Sequence, residues 1–203
     1  MLSVGLTSVN VMGQTLKDFY IPSQSNYNKT SFYSPSQTGE RTESTRVIYY
    51  INNGDETWDI VDAHMFQGKP TAIVTQTVKI STTEVKMIKS VSTGLYETNK
   101  KRNYEPLRVL LKIPPTGQTL TWTILGEGGN KPTKYTSSWT TVIVASVSKK
   151  AIKVVSQYTG WEAKTISYYV QGIGLMMTDF IDEDGTVLPF EKFDGLSHEE
   201  IKR

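Results

Sequence analysis

Tyr168-Tyr169-Val170-Gln171-Gly172-Ile173-Gly174-Leu175-Met176-Met177-Thr178-Asp179-Phe180 holds two apolar, aromatic-rich runs joined through a Gly-x-Gly step. Branched and aromatic side chains on both sides of that step suit the pleated, half-buried surface of a sheet. The glycines remove Cβ where the backbone must kink or pass close to another segment. No helical pattern follows Gly174, so a phosphate-cradling loop is disfavoured here. The stretch predicts strand, bend and strand near the end of an antiparallel sheet, with Tyr168, Tyr169, Gly172, Gly174 and Leu175 as its structural signature. Met176 and Met177 would point to opposite faces of one strand, so one of them must leave the principal core face.

Working outward, the same strand-and-turn grammar recurs. Lys164 to Val170 and Ala151 to Tyr158 precede the opening stretch, linked through Thr159-Gly160-Trp161, and Ser148-Lys149-Lys150 links back to Tyr135 to Val147. Leu120, Trp122 and Ile124 face one way and Thr119, Thr121 and Thr123 the other, while Leu107, Val109, Leu111 and Ile113 alternate with Arg108 and Lys112. Val85, Met87 and Val91 share a face, leaving Glu84, Lys86 and Ser90 toward solvent. Asn52-Asn53-Gly54-Asp55 reads as a hairpin turn between Arg46 to Ile51 and Glu56 to Phe66, and Asp182-Glu183-Asp184-Gly185 as another after Ile181. Short connections imply antiparallel neighbours. The fold expected is all-β: a single strongly curved antiparallel sheet or half-open barrel of about ten strands, with little helix.

Composition agrees and narrows the function. The 203 residues suffice for one core; 37% are hydrophobic and 21% charged, the balance of a folded domain. Twenty-two basic against 20 acidic residues give a net charge of +2 with no basic block, which disfavours nucleic acid as a partner. The absence of cysteine removes disulfides, thiolate nucleophiles, Cys-ligated zinc and an acylated lipoprotein cysteine from this chain.

The ends read differently from the middle. Met1 to Gly13 is too short to span a bilayer, and Val11 and Gly13 fit the positions before a signal-peptidase cut at Gln14, although no basic residue precedes Lys17. Residues 1–13 are thus read as a signal-peptide remnant, 14–39 as an extended N-terminal segment, 40–196 as the antiparallel β-domain and 197–203 as a tail. Ser197-His198-Glu199-Glu200 has capping-box form but too little chain behind it for a stable helix. Asn28-Lys29-Thr30 is a sequon by pattern alone.

Ala151-Ile152-Lys153-Val154 followed by Tyr168-Tyr169-Val170-Gln171-Gly172-Ile173-Gly174-Leu175-Met176 resembles a group of exported bacterial β-proteins of unknown function whose last strands carry a Tyr-Tyr-x-x-Gly-Val-Gly-Leu-Val type motif. Asp18-Phe19-Tyr20-Ile21-Pro22 echoes the Asp-Tyr-Phe-Pro type opening of such proteins. Their fold is likened to LolA and LolB, the lipoprotein carriers whose curved half-barrel holds acyl chains on its concave face. The resemblance implies a periplasmic or secreted location and an apolar groove, and it brings no catalytic residue.

Candidate chemistry is sparse. Asp62 and His64 share a strand face near Asp59, Trp58 and Phe66, a usable acid–base pair, while the other histidine, His198, lies in the tail. Glu56, Asp59, Asp62, Asp179 and Glu191 supply carboxylates that a glycoside hydrolase could use if the fold brought two together. No metal-ligand spacing, catalytic elbow or cofactor motif occurs, and no cofactor is expected. Trp58, Trp122, Trp139 and Trp161, with Met65, Met87, Met176 and Met177, offer packing or groove surface. The function expected is an exported, non-enzymatic binding protein that holds a lipid, another apolar or extended ligand, or an envelope protein partner in the concavity of the sheet. The alternatives are a structural or adhesion-type envelope protein and a carboxylate-dependent hydrolase.

Overall fold

The computed structural model describes residues 15–23, 29–35, 41–67, 69–94, 100–125, 131–193 and 201–202. After one turn of helix, α1 (Lys17–Tyr20), the chain forms β1 (Lys29–Pro35), β2 (Arg41–Gly54), β3 (Thr57–Phe66), β4 (Lys69–Ile80), β5 (Glu84–Gly94) and β6 (Lys100–Lys112). It continues through β7 (Thr119–Ile124), β8 (Thr133–Val144), β9 (Val147–Tyr158), β10 (Lys164–Val170), β11 (Gly174–Ile181), β12 (Val187–Phe193) and β13 (Ile201–Lys202). Every pairing among the described residues is antiparallel, as short connections require for the sequential neighbours.

The strands fall into two leaves. β1 to β6 form a meander in chain order, and β8 to β12 form a second, with β7 and β13 both alongside β8. Among the described residues two pairs, Phe32 with Phe193 and Tyr33 with Lys192, join the leaves through β1 and β12. At the far ends of the path no ladder among the described residues closes β6 onto β7. There the indole N–H of Trp122 donates to the Val109 carbonyl at 3.2 Å and that of Trp139 to the Pro114 carbonyl at 2.8 Å. The all-β, helix-poor expectation therefore holds, but the single sheet of about ten strands gives way, among the described residues, to thirteen strands in two unclosed leaves. β1 was illegible because Lys29-Thr30-Ser31-Phe32-Tyr33 lacks an apolar period and pairs by position between β2 and β12.

The main core lies between the leaves. Ile48, Tyr50, Ile60, Val78, Val85, Met87 and Leu111 from the first leaf meet Trp122, Ile152 and Val154 from the second, with Leu16, Phe19 and Ile21 inserted from the α1 segment. A second cluster occupies the opposite face of β8 to β11, built on Val142, Ala151, Ile166, Tyr168, Val170, Met176 and Met177. Both methionines belong to it, against the expectation of opposite faces. The register slips between Tyr168 and Tyr169, which face Met177 and Leu175 respectively, so Met176 is the extra residue of a β-bulge.

Three further local readings change. β2 runs on to Gly54 and the turn falls at Asp55 and Glu56, with φ of 48° and 60°. The β8–β9 turn is Ala145-Ser146, φ 47° and 64°, so Ser148, Lys149 and Lys150 lie inside β9. Ser90, expected to face solvent, is buried, because a register shift between Met87 and Lys89 inverts the alternation beyond it. The acidic turn is as read: Gly185 takes φ +86° and its N–H donates to the Asp182 carbonyl at 3.0 Å. The signal-peptide reading of 1–13, the sequon's Asn28 and the capping-box residues 197–200 lie outside the described residues.

Candidate functional site

The Gly-x-Gly step is where the N-terminal segment docks. Gly172 and Gly174 hold φ of +77° and +85°, which favours residues without Cβ. The Gly172 N–H donates to the Asp18 carbonyl at 2.7 Å, and the Ser23 N–H returns a bond to the Gly172 carbonyl at 3.1 Å. A Cβ at Gly174 would stand 3.1 Å from the Tyr20 carbonyl oxygen and 3.4 Å from the Pro22 ring. Asp18-Phe19-Tyr20-Ile21-Pro22 and the Tyr-Tyr-x-x-Gly-x-Gly stretch, some 150 residues apart in sequence, are thus one contact in space. Phe19 meets Trp139 edge-on at 5.3 Å between centroids, and Tyr20 stacks on Tyr169 at 5.9 Å and 17°.

Beside that stack the two leaves leave a cavity of about 330 Å³. Alternation along β10 turns Thr165, Ser167 and Tyr169 to this side, while Ile166, Tyr168 and Val170 enter the second cluster. β11 contributes Leu175, Thr178 and Phe180, and Arg46 reaches in from β2. Ser167 Oγ and Thr178 Oγ1 stand 3.4 Å apart. The Arg46 guanidinium is held by Asp62: Nε donates to Oδ1 at 2.8 Å and Nη2 to Oδ2 at 2.6 Å. This fork-to-fork pairing fixes the planes of both groups, and their side chains remain 24% and 17% exposed. Burial pushes the Tyr169 phenol up to about 12, against a lowering by the Arg46 charge. Burial, reinforced by Tyr169 and Tyr50, likewise holds the Tyr20 phenol well above its ordinary range. Both phenols are therefore neutral at physiological pH.

The predicted chemical residues separate in space. Asp62 and His64 do share a face, but Asp62 is committed to Arg46 and His64 is exposed. Asp59 points to the other face and accepts a hydrogen bond from Thr77 Oγ1 at 2.6 Å. Glu56 is exposed, 3.8 Å from Lys79. Asp179 faces Ile166 across the β10–β11 ladder, on the side away from the cavity. Among the described residues these carboxylates do not converge, and no group of three His, Cys, Asp or Glu could hold a metal. The Glu191 side chain and His198 fall outside the described set.

Arg46 and the β10 hydroxyls escaped the sequence reading. Thr165 and Ser167 are polar residues in the alternate positions of a strand, which is also the pattern of a solvent face. Arg46 gave one usable signal, a charge opening an apolar run, yet only the register of β2 against β3 sets it diagonal to Asp62.

A second cavity of about 370 Å³ opens where the β2–β3 and β4–β5 turns approach α1, lined by Lys17, Asp55, Glu56, Trp58 and Ser81 among others. The Lys17 ammonium lies over the Trp58 ring, 5.1 Å from its centroid. Among the described residues no helix is long and apolar enough to cross a membrane.

No family model matches the sequence, and no curated protein does. Two solved structures overlap it loosely. One is a candidate lipoprotein from Parabacteroides distasonis, 9% identical over 91% of this chain and 98% of its own, with a TM-score of 0.42. The other is a candidate exported protein with a YmcC-like fold from Bacteroides fragilis, 12% identical over 91% of this chain and 99% of its own, with a TM-score of 0.43. At that overlap neither family nor function transfers.

Proposed function

We propose that this protein is an exported, non-enzymatic binding protein that holds an extended, partly apolar ligand in the cavity between its leaves. The observation that carries this reading is the lining: Tyr169, Leu175 and Phe180 give apolar surface, and Arg46 with Thr165, Ser167 and Thr178 gives fixed polar groups. A few placed polar groups on an apolar wall are the usual composition of a small-ligand site, and about 330 Å³ is at the lower end of its size range. The resemblance of its last strands to exported bacterial β-proteins makes an envelope or secreted location part of the same proposal.

Native mass spectrometry of protein purified from its own envelope fraction is the test. A co-purifying small molecule is expected with wild type and lost in Ser167→Phe, whose ring would occupy the cavity, at an unchanged urea midpoint. Retention of the same molecule by Ser167→Phe, or bare protein from both, would overturn the reading.

A further inference from the structure

Tyr158 and Trp161 form an aromatic pair at 5.6 Å and 53° that stays 52% and 55% exposed. Exposed aromatics on a loose loop would be unremarkable; these are held in place. The Trp161 N–H donates to the Tyr158 carbonyl at 3.0 Å, and Gln157 Nε2 to the Trp161 carbonyl at 2.6 Å. The Thr159 N–H donates to the Pro132 carbonyl at 2.8 Å. The loop is thus a fixed platform with its rings in water.

The platform lies on the same face of the second leaf as the cavity, one strand beyond its lining. Ser156 faces Thr165 across the β9–β10 ladder, and Thr165 faces Phe180 across β10–β11. Tyr158 follows two residues after Ser156 on the same strand face, about 7 Å farther along. A ligand that leaves the cavity past Thr165 therefore meets Tyr158 and then Trp161.

The lining restricts the chemistry of that ligand. An anion gains little from Arg46, because the Asp62 carboxylate already sits 2.6 Å from the guanidinium. An acyl chain would strip water from the partly exposed ion pair and from the Thr165 and Ser167 hydroxyls without offering a hydrogen bond in its place. A hydroxyl-rich ligand replaces each lost water contact, since every hydroxyl both donates and accepts. Its ring C–H faces pack on Tyr169, Phe180 and the outer aromatic pair.

We infer that the ligand is a neutral oligosaccharide, with one unit in the cavity and the chain continuing over the Tyr158–Trp161 platform. The inference rests on the cavity being the binding site, as proposed above.

Affinity electrophoresis of the purified protein in gels containing dextran, laminarin, soluble starch or galactomannan tests it, with N-phenylnaphthylamine fluorescence as the apolar arm. Retardation by at least one neutral polysaccharide is expected, unaltered by added salt. Trp161→Ala should weaken it about tenfold and Trp161→Phe far less, the scale of one aromatic contact. Trp161 is exposed, so the fold survives either change, and Ser167→Phe should abolish retardation. Dye binding that Ser167→Phe removes, without retardation in any gel, overturns the saccharide and keeps the cavity as a site. Absence of both signals overturns the two readings together. Retardation indifferent to Ser167→Phe and Trp161→Ala overturns this placement.

Discussion

Gly174 and Gly185 have nearly the same backbone, φ +85° and +86°, and very different surroundings. An added Cβ at Gly185 meets nothing within 4 Å, whereas at Gly174 it meets the Tyr20 carbonyl at 3.1 Å. Gly185→Ala should therefore cost only the left-handed backbone term, about 1 kcal/mol. Gly174→Ala should cost about 2–3 kcal/mol, because the α1 segment must also shift. Urea denaturation of the two variants side by side decides it. Equal losses would mean that α1 docking adds nothing to the demand for glycine.

At the scale of elements, the hairpins carry avoidable strain. Ala145 and Ser146 both hold positive φ, the geometry of a type I′ turn, which Asn-Gly adopts far more readily. The double change Ala145→Asn with Ser146→Gly should raise stability by about 1 kcal/mol, read as a higher urea midpoint at an unchanged slope. A lower midpoint would show that the β8–β9 turn is not of this type. The same strands show why elements were easier to locate than their ends. Alternation in Thr119 to Ile124 put Trp122 and Ile124 inward and the threonines outward, and the structure agrees. Turn chemistry at Asn52-Asn53-Gly54 pointed a residue or two early, since Asn52 Oδ1 accepts from the Gly54 N–H at 2.9 Å while the strand still continues.

For the whole molecule, the buried contact between the N-terminal segment and the second leaf makes stability depend on alkaline pH. A phenol whose folded value is raised is stabilising in its neutral form, fully so below its unfolded value near 10, and the contribution disappears as pH rises. For Tyr169 the window is therefore roughly pH 10 to about 12. Melting temperature should fall across that window, and Tyr169→Phe should lose less over the same range than wild type does. An identical pH profile for both would mean that Tyr169 ionises freely in the fold. Acid acts elsewhere: Lys86 and then Lys112 hold the Glu84 carboxyl below its ordinary value, so that contribution is present above the usual carboxylate range and lost as pH falls through it. Glu84 is a half-exposed surface group, so its share is small.

Alternating apolar residues and turn-forming pairs determined, without any structure, that this chain would be an antiparallel β-protein with almost no helix. They also marked the Gly-x-Gly step as a place where backbones approach, because a period of two and a missing Cβ are local properties of the chain. What those glycines approach, the Asp18 to Pro22 segment, was decided only by folding, since nothing local links residues so far apart. The same holds for the division into two leaves and the bulge that brings Met176 and Met177 into one cluster. It holds also for the cavity in which Arg46, paired with Asp62, meets the hydroxyl face of β10. Such a site depends on register and on which faces meet, and a polar residue in a strand reads alike whether it faces water or a ligand.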